Sequence, residues 1–234
     1  MPGVLPTSRI RCEATIERGL RARGFTCIAG VDEVGRGALF GPVVAAAVAL
    51  SPDCPVRGLN DSKQVEPGRR EELAVLIRER ALAWAVAAVD AATIDRMNIH
   101  WASRLAMRRA VESLHPRADF LLIDAFPIDL PIPQQPLIKG DARCHAIAAA
   151  SIVAKVYRDA CMASWDSVFP EYGLARHKGY STPEHAEALR RLGATPLHRL
   201  SFEPVRAACP FAVLPMPAGE QLGLFGETEA PACR

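Results

Sequence analysis

No two cysteines in this chain stand at CxxC spacing, although seven are present, at positions 12, 27, 54, 144, 161, 209 and 233. Their odd number and scattered placing, several within apolar runs, argue against a disulfide framework or a zinc site. Free, buried thiols in a reducing compartment are expected instead. Long hydrophobic runs are missing too: residues 43–50 are far too few to cross a bilayer. Residues 1–20 hold no continuous apolar stretch of the kind a secretory leader needs, so a cytoplasmic protein without a membrane attachment is expected. Charge of one sign is also lacking. With 28 basic and 26 acidic residues the net charge is only +2, so any surface for a polyanion must come from local clustering. No internal repeat is visible. No histidine–serine or cysteine–histidine pair stands out as a nucleophilic device.

What is present is a chain of 234 residues, half of them hydrophobic, which is ample for the core of one domain, with or without an appendage. Its most informative stretch is residues 28–50, IAGVDEVGRGALFGPVVAAAVAL. A short apolar run stops at Asp32 and Glu33. Gly35-Arg36-Gly37 and Gly41-Pro42 follow, and then a second apolar run. Strand, tight turn, strand is the simplest reading. Aspartate and glutamate are poor strand formers, so their place at a strand end asks for a reason. An acidic hairpin turn is the bland one. The sharper one is that the turning chain lets both carboxylates converge on an ion such as Mg²⁺ or Mn²⁺, which prefers oxygen ligands. The glycines beside Arg36 permit positive φ and bare backbone N–H groups, so such a loop can approach a phosphodiester with a guanidinium beside it.

Further along the chain, residues 13–23 read as a short helix leading into the first strand. Asn60-Asp61-Ser62 suits a turn or cap, and Lys63 after it is a candidate phosphate contact. Residues 68–80 read as an exposed amphipathic helix with a solvated charged face, and 81–89 as an apolar run of strand length whose alanines leave strand and helix both open. Residues 92–114 give one or two helices parted near Met97-Asn98-Ile99. Residues 118–124, ADFLLID, repeat the pattern of an apolar strand ending in an acid, here Asp124. Residues 127–136 are proline-rich and are expected to be a loop. Residues 142–165 form an alanine-rich buried helix, with Asp141 where an N-cap would sit. His177-Lys178-Gly179-Tyr180 sets a cation and an aromatic ring in a glycine loop, able to meet phosphate and sugar or base together. Thr182 caps a helix opened by Pro183 and ended near Gly193. Residues 210–234 lack helical or strand period and are expected to be a mobile tail.

The stretches VDEVGRGALFGPVVAAAV, LLID, KGDARCHAIAAASIVAKVYRD, HKGYST and HRLSF resemble, in order, the motifs of the type 2 ribonuclease H family, bacterial ribonuclease HII. The resemblance runs from about residue 27 to 205. It implies an α/β ribonuclease-H-like fold, a mixed central sheet flanked by helices with a helical C-terminal region. Residues 1–24 would then be a tail with a short helix, 25–207 the catalytic domain and 208–234 the mobile tail. It implies cleavage of the RNA strand of RNA–DNA hybrids and of duplex DNA holding a ribonucleotide, by a monomer. The family's four metal-binding acids, which take Mn²⁺ or Mg²⁺, fall on Asp32, Glu33, Asp124 and Asp141. Its readers of the ribo-to-deoxyribo junction fall on Gly35, Arg36, Gly37 and Tyr180, with Lys63 and Lys178 as further substrate contacts. Ala38, Phe40 and Val65 depart from the usual family residues, away from the chemistry. Two rivals remain: another carboxylate-cage nuclease acting on DNA, and a noncatalytic nucleic-acid-binding module of the same fold.

Overall fold

The structure is a computed structural model describing residues 12–209; the two expected tails and Cys233 lie largely or wholly outside the described residues. Five strands, β1 (Ile28–Val34), β2 (Val43–Leu50), β3 (Ala81–Val89), β4 (Phe120–Asp124) and β5 (Gln134–Leu137), form one sheet ordered β3-β2-β1-β4-β5. The first three pair antiparallel, while β1–β4 and β4–β5 are parallel. A mixed sheet flanked by helices is the expected class. Among the described residues the α-helices are α1 (Thr15–Ala22), α2 (Pro67–Arg80), α3 (Ala91–Glu112), α4 (His145–Val168), α5 (Leu174–His177), α6 (Pro183–Leu192) and α7 (Glu203–Ala208).

The alternation of β2 explains the layers. Val43, Ala45, Ala47 and Ala49 pack with Ile94, Ala102 and Met107 of α3, while Val44, Ala46 and Val48 pack with Leu73 of α2 and Ile152 of α4. A strand buried on both faces reads as a continuous apolar run, which is what VVAAAVAL is. Small residues let the helices come close. At Gly30 of β1 an added Cβ would lie 2.0 Å from the carbonyl carbon of Ala146, so α4 begins directly on the central strand.

Three expectations are corrected. Residues 127–136 are not all loop, because Gln134–Leu137 pair with β4 as the fifth strand; it is an edge strand, where Pro136 is tolerated because one backbone side has no partner. Asp141 is not the cap of α4. It lies in a 3-10 turn, Gly140–Ala142, and the N-cap position is Cys144, whose side chain makes no capping bond. The helix end is served from elsewhere: Glu17 of α1 is buried and accepts the Ala146 N–H at 2.8 Å and the Cys144 thiol at 3.3 Å. A carboxylate there also suits the positive end of the helix dipole. Third, Cys54 is an exposed thiol, while Cys27 and Cys144 are buried. The kink in α3 falls at Asn98, at positive φ, and Thr182 caps α6 by accepting from His185 N–H at 3.2 Å, both as expected.

The C-terminal helices enclose their own core of Tyr172, Leu174, Ala188, Leu189 and Val205. Into it the loop after β1 inserts Leu39 and Phe40, beside Met162 of α4. The GRG loop is thereby anchored on one side to the sheet and on the other to the C-terminal region. Among the described residues no helix is long and apolar enough to cross a membrane.

Candidate active site

Strand register places the first two acids. Val31 of β1 stands beside Ile123 of parallel β4, so one residue further on Asp32 comes level with Asp124. Ala29, Val31, Leu121 and Ile123 all belong to the core on the α3 side. Alternation therefore turns Asp32 and Asp124 toward α4. Glu33 lies inside β1 rather than in a turn, a correction to the expected convergence through chain reversal. It points to the other face but close enough to the rim to line the same cleft. The 3-10 turn after β5 brings in Asp141, and the Gly140 N–H donates to Asp124 Oδ1 at 2.7 Å, tying that turn to the end of β4. The cleft, of about 470 Å³, is lined by all four acids, by Gly35, Arg36 and Gly37, and by Lys63 and Tyr180. A cavity of about 550 Å³ near the start of β1 is lined by Arg18, Arg21, Arg57 and His145. Its one acid, Glu17, is committed to the end of α4, so the first cleft is the candidate site.

Every one of the four carboxyls is held above the ordinary carboxylate range, and burial is the first cause in each. For Asp32, repulsion from Glu33 and then Asp124 adds to burial, while the neighbouring Ser151 hydroxyl opposes it. Glu33 is partly relieved by Arg36, 3.2 Å away. Asp124 is relieved by the Gly140 N–H and by Lys63. Asp141 feels repulsion from Asp61 and Asp124. One oxygen of each carboxyl is already used: Asp32 Oδ1 accepts Glu33 N–H at 2.8 Å, Glu33 Oε1 accepts Arg36, Asp124 Oδ1 accepts Gly140 N–H, and Asp141 Oδ1 accepts Ala142 N–H at 2.9 Å. Glu33 Oε2 is buried with no partner. An unsatisfied buried acceptor costs about 1–3 kcal/mol, more when charged, and a cation would remove that cost. The all-oxygen donor set fits Mg²⁺ or Mn²⁺. As the side chains stand, no three acid, histidine or cysteine groups among the described residues are placed to hold one ion. Like charges repel one another, and gripping an ion would require the carboxylates to turn toward the centre.

The other end of the cleft is built differently. Gly35 has φ +89°, and a Cβ there would lie 2.2 Å from Arg158 Nε, so only glycine fits the conformation and the space. Arg158 is fully buried and donates to the carbonyls of Pro42 (3.2 Å), Lys178 (2.8 Å) and Phe40 (3.1 Å). Its guanidinium carbon lies 5.3 Å from the centre of the Tyr180 ring. Arg199, also fully buried, donates to the carbonyls of Gly41 (3.0 Å) and Arg36 (2.8 Å). Leu39 N–H donates to Gly179 O at 2.7 Å, and Ala38 bridges Tyr180. The GRG loop and the Tyr180 loop are thus stitched together through backbone carbonyls. Burial pushes both guanidinium pKa values down, that of Arg199 to about 9.

Of the residues expected from the sequence, Lys178 alone is not brought to the cleft; it has left-handed φ, and its carbonyl serves Arg158. Lys63 is exposed at the rim, and Asp61 Oδ1 accepts its N–H at 2.9 Å, so Asp61 forms the expected turn. Two cleft residues escaped sequence reasoning, Ser151 and Lys155, and Ser62, read as a turn or cap residue, joins them there. The two hydroxyls meet at 2.9 Å, and Lys155 pairs with Asp159 at 2.7 Å. A signal existed. Ser151 and Lys155 stand four apart in an otherwise alanine-rich buried helix, hence on one face. Arg158 completes that polar set at the next turn.

Comparison with known proteins places the chain among relatives. The family model described as Ribonuclease HII matches residues 29–205. A protein of Solibacter usitatus (strain Ellin6076) named Ribonuclease HII is 67% identical over 217 residues, covering 93% of this chain and 94% of its own. Among solved structures, the ribonuclease H2 of Pyrococcus horikoshii OT3 superposes with a TM-score of 0.68 at 25% identity, over 78% of this chain and 97% of that one. The ribonuclease HII of Archaeoglobus fulgidus, solved in a complex with PCNA, gives a TM-score of 0.65 at 28% identity, over 76% and 96%.

Proposed function

The chain belongs to the ribonuclease HII family, endoribonucleases acting on RNA–DNA hybrids, and on that premise we propose that it also cuts duplex DNA on the 5′ side of a single embedded ribonucleotide. The observation that carries this reading is that one cleft holds Asp32, Glu33, Asp124 and Asp141 together with Gly35, Arg36, Gly37 and Tyr180.

The acids would hold two divalent ions, Mn²⁺ or Mg²⁺, and such a pair would make a water nucleophilic and neutralise the leaving oxygen. The chain's own residues then have separate tasks. Asp32 and Asp124, side by side on parallel strands, form the floor of the site. Gly140 N–H fixes Asp124. Lys63 offers a cation to a phosphate at the rim. The bare backbone of Gly35 and Gly37 can meet a 2′-hydroxyl, and the Tyr180 ring can stack on the sugar that follows. The products would be a 3′-hydroxyl and a 5′-phosphate.

The test uses duplex DNA with one ribonucleotide, incubated with and without Mg²⁺ or Mn²⁺, and the cut is mapped. A single metal-dependent break 5′ to the ribonucleotide is expected. Cleavage of an all-DNA duplex would favour the DNA-nuclease rival, and absence of both metal binding and cleavage would favour the noncatalytic one.

A partner reading has its own support. The Archaeoglobus relative was solved with PCNA, and a protein of that kind is proposed to recruit this chain. Residues 221–225, Gln-Leu-Gly-Leu-Phe, put three large apolar side chains into a stretch otherwise rich in glycine, proline and acid, beyond the family match. That composition suits a short docking segment. Loss of binding on joint Leu224→Ala and Phe225→Ala substitution is expected in a pull-down with the PCNA-like protein of the same organism. Equal binding by a chain truncated at 209 would end the reading.

A further inference from the structure

The C-terminal region buries three histidines, His177, His185 and His198, none of which lines the cleft. We propose that His185, with its tautomer fixed by His198, is a positioning residue that holds Tyr180 in its reading position. The proposal rests on the reading of Tyr180 as the group that meets the junction.

The hydrogen-bond chain has one solution from either end. The Tyr180 carbonyl lies 3.0 Å from His185 Nδ1. A carbonyl only accepts, so Nδ1 carries the hydrogen and Nε2 of the neutral ring is an acceptor. That Nε2 lies 3.1 Å from His198 Nε2, which must therefore be the donor, leaving His198 Nδ1 to accept. Thr195 supplies what that atom needs: its N–H donates at 2.9 Å and its hydroxyl lies 3.0 Å away. A backbone N–H only donates, so the far end independently demands the same tautomers. His177 completes the set. It donates from Nε2 to Tyr172 O at 2.7 Å, accepts Gly179 N–H at Nδ1 at 3.2 Å, and stacks on His185 at 4.4 Å. All three rings are neutral, and every ring nitrogen has a partner. Burial pushes His185 and His198 down, the latter to about 3, so the relay stays neutral around pH 7.

The relay starts at Thr195 and ends on the backbone of Tyr180, in a loop whose preceding residues, Lys178 and Gly179, are both at positive φ. Arg158 steadies the ring from the other side. A stacking residue acts only if its ring is held where the sugar will be. An arginine in place of His185 could only donate and a carboxylate could only accept, so neither could join Tyr180 O to the His198 N–H.

The experiment compares Tyr180→Ala, His185→Leu, His198→Leu and His198→Gln on two substrates, a duplex with one ribonucleotide and an all-RNA hybrid, with KM and kcat separated. His185→Leu should raise KM on the single-ribonucleotide duplex about tenfold or more, with hybrid cleavage changed much less, following Tyr180→Ala. His198→Leu should do the same more weakly. His198→Gln, which keeps an N–H near the place of Nε2, should recover the preference. Equal losses on both substrates, or Gln no better than Leu, would overturn the relay. If Tyr180→Ala is itself unselective, the junction reading fails and the relay's role with it. If Tyr180→Ala is selective and His185→Leu is not, the relay alone fails. Should the leucine variants not fold, ¹⁵N spectra of the unmodified protein decide: His185 must be the Nδ1–H form and His198 the Nε2–H form, and the reverse pair overturns the proposal.

Discussion

At the acid end of the cleft, four carboxyls stand with one oxygen each engaged, their pKa values raised, and Glu33 Oε2 buried without a partner. At the reader end, Arg158, Arg199 and three imidazoles are packed more deeply, yet almost every polar group meets a hydrogen-bond partner; the exception is one buried Nη2 of Arg199. The acid end gathers mutually repelling carboxyls and leaves a buried oxygen unpaired, an environment that a cation would satisfy. The reader end is completed by the chain itself. A site that must accept a variable guest is left under-satisfied and costs stability; a site that must measure a shape is locked by hydrogen bonds before the guest comes.

The largest expected effect lies at the acid end. Asp32→Asn or Asp124→Asn should abolish turnover, and Glu33→Gln should behave similarly, because each removes a ligand charge. The contrast between the two ends adds that metal-free Asp32→Asn should melt higher than the unmodified chain, since repulsion is relieved. The sign in pH follows. A carboxyl raised in the folded state stabilises fully below its unfolded value, about 4, and that stability is lost as pH rises through the folded value. The gap between the melting curves of the two proteins should therefore open as pH rises toward neutrality and close in acid. A variant less stable at every pH would break the contrast. Adding Mg²⁺ or Mn²⁺ should raise the melting temperature of the unmodified chain and not of Asp32→Asn.

Asp141→Asn should also lower turnover severely, with melting nearly unchanged, within about 0.5 kcal/mol as for an ordinary surface change. A cap would have cost about 1 kcal/mol, and Asp141 is not the cap. Tyr180→Ala should cost roughly tenfold to a hundredfold on a single embedded ribonucleotide and less on a hybrid, while Tyr180→Phe should cost little on either. The smallest effect belongs outside the cleft. Glu17→Gln should lose about 1 kcal/mol of stability by weakening the hydrogen bond at the start of α4, leaving the substrate preference as it was; a changed preference would mean that α4 transmits strain to the site.

How much of this was legible differs between the two ends for the same reason. Asp32, Glu33 and Asp124 could be read because an acid at the end of an apolar strand is locally out of place, and alternation with parallel register does the rest. Asp141 was legible only through the resemblance, since its local pattern pointed to a cap that the structure gives to Cys144. Glu17, which serves that helix end, is 129 residues away from Ala146, and no local pattern announces it. The strand at Gln134–Leu137 hid behind prolines. On the reader side, Gly35–Gly37 and Tyr180 showed, but their supports did not. Arg158 and Arg199 lie within the family-like stretches, but the sequence assigned them no role, because their partners are carbonyls at 36, 40, 41, 42 and 178, which no sequence spacing can reveal. Lys178, chosen for its charge, contributes its carbonyl instead.

The most direct measurement of the division between the two ends is the binding preference of the inactive Asp124→Asn chain, taken as the ratio of its Kd for an all-DNA duplex to its Kd for the same duplex with one ribonucleotide. With the reader held by Arg158, Arg199 and the histidines and not by Asp124, the ratio should equal that of the unmodified chain under conditions where neither cuts, although turnover is gone. A ratio that collapses toward one together with turnover would contradict the account, because recognition would then depend on the acid cluster and not on the loops that Arg158, Arg199 and the histidines hold in place.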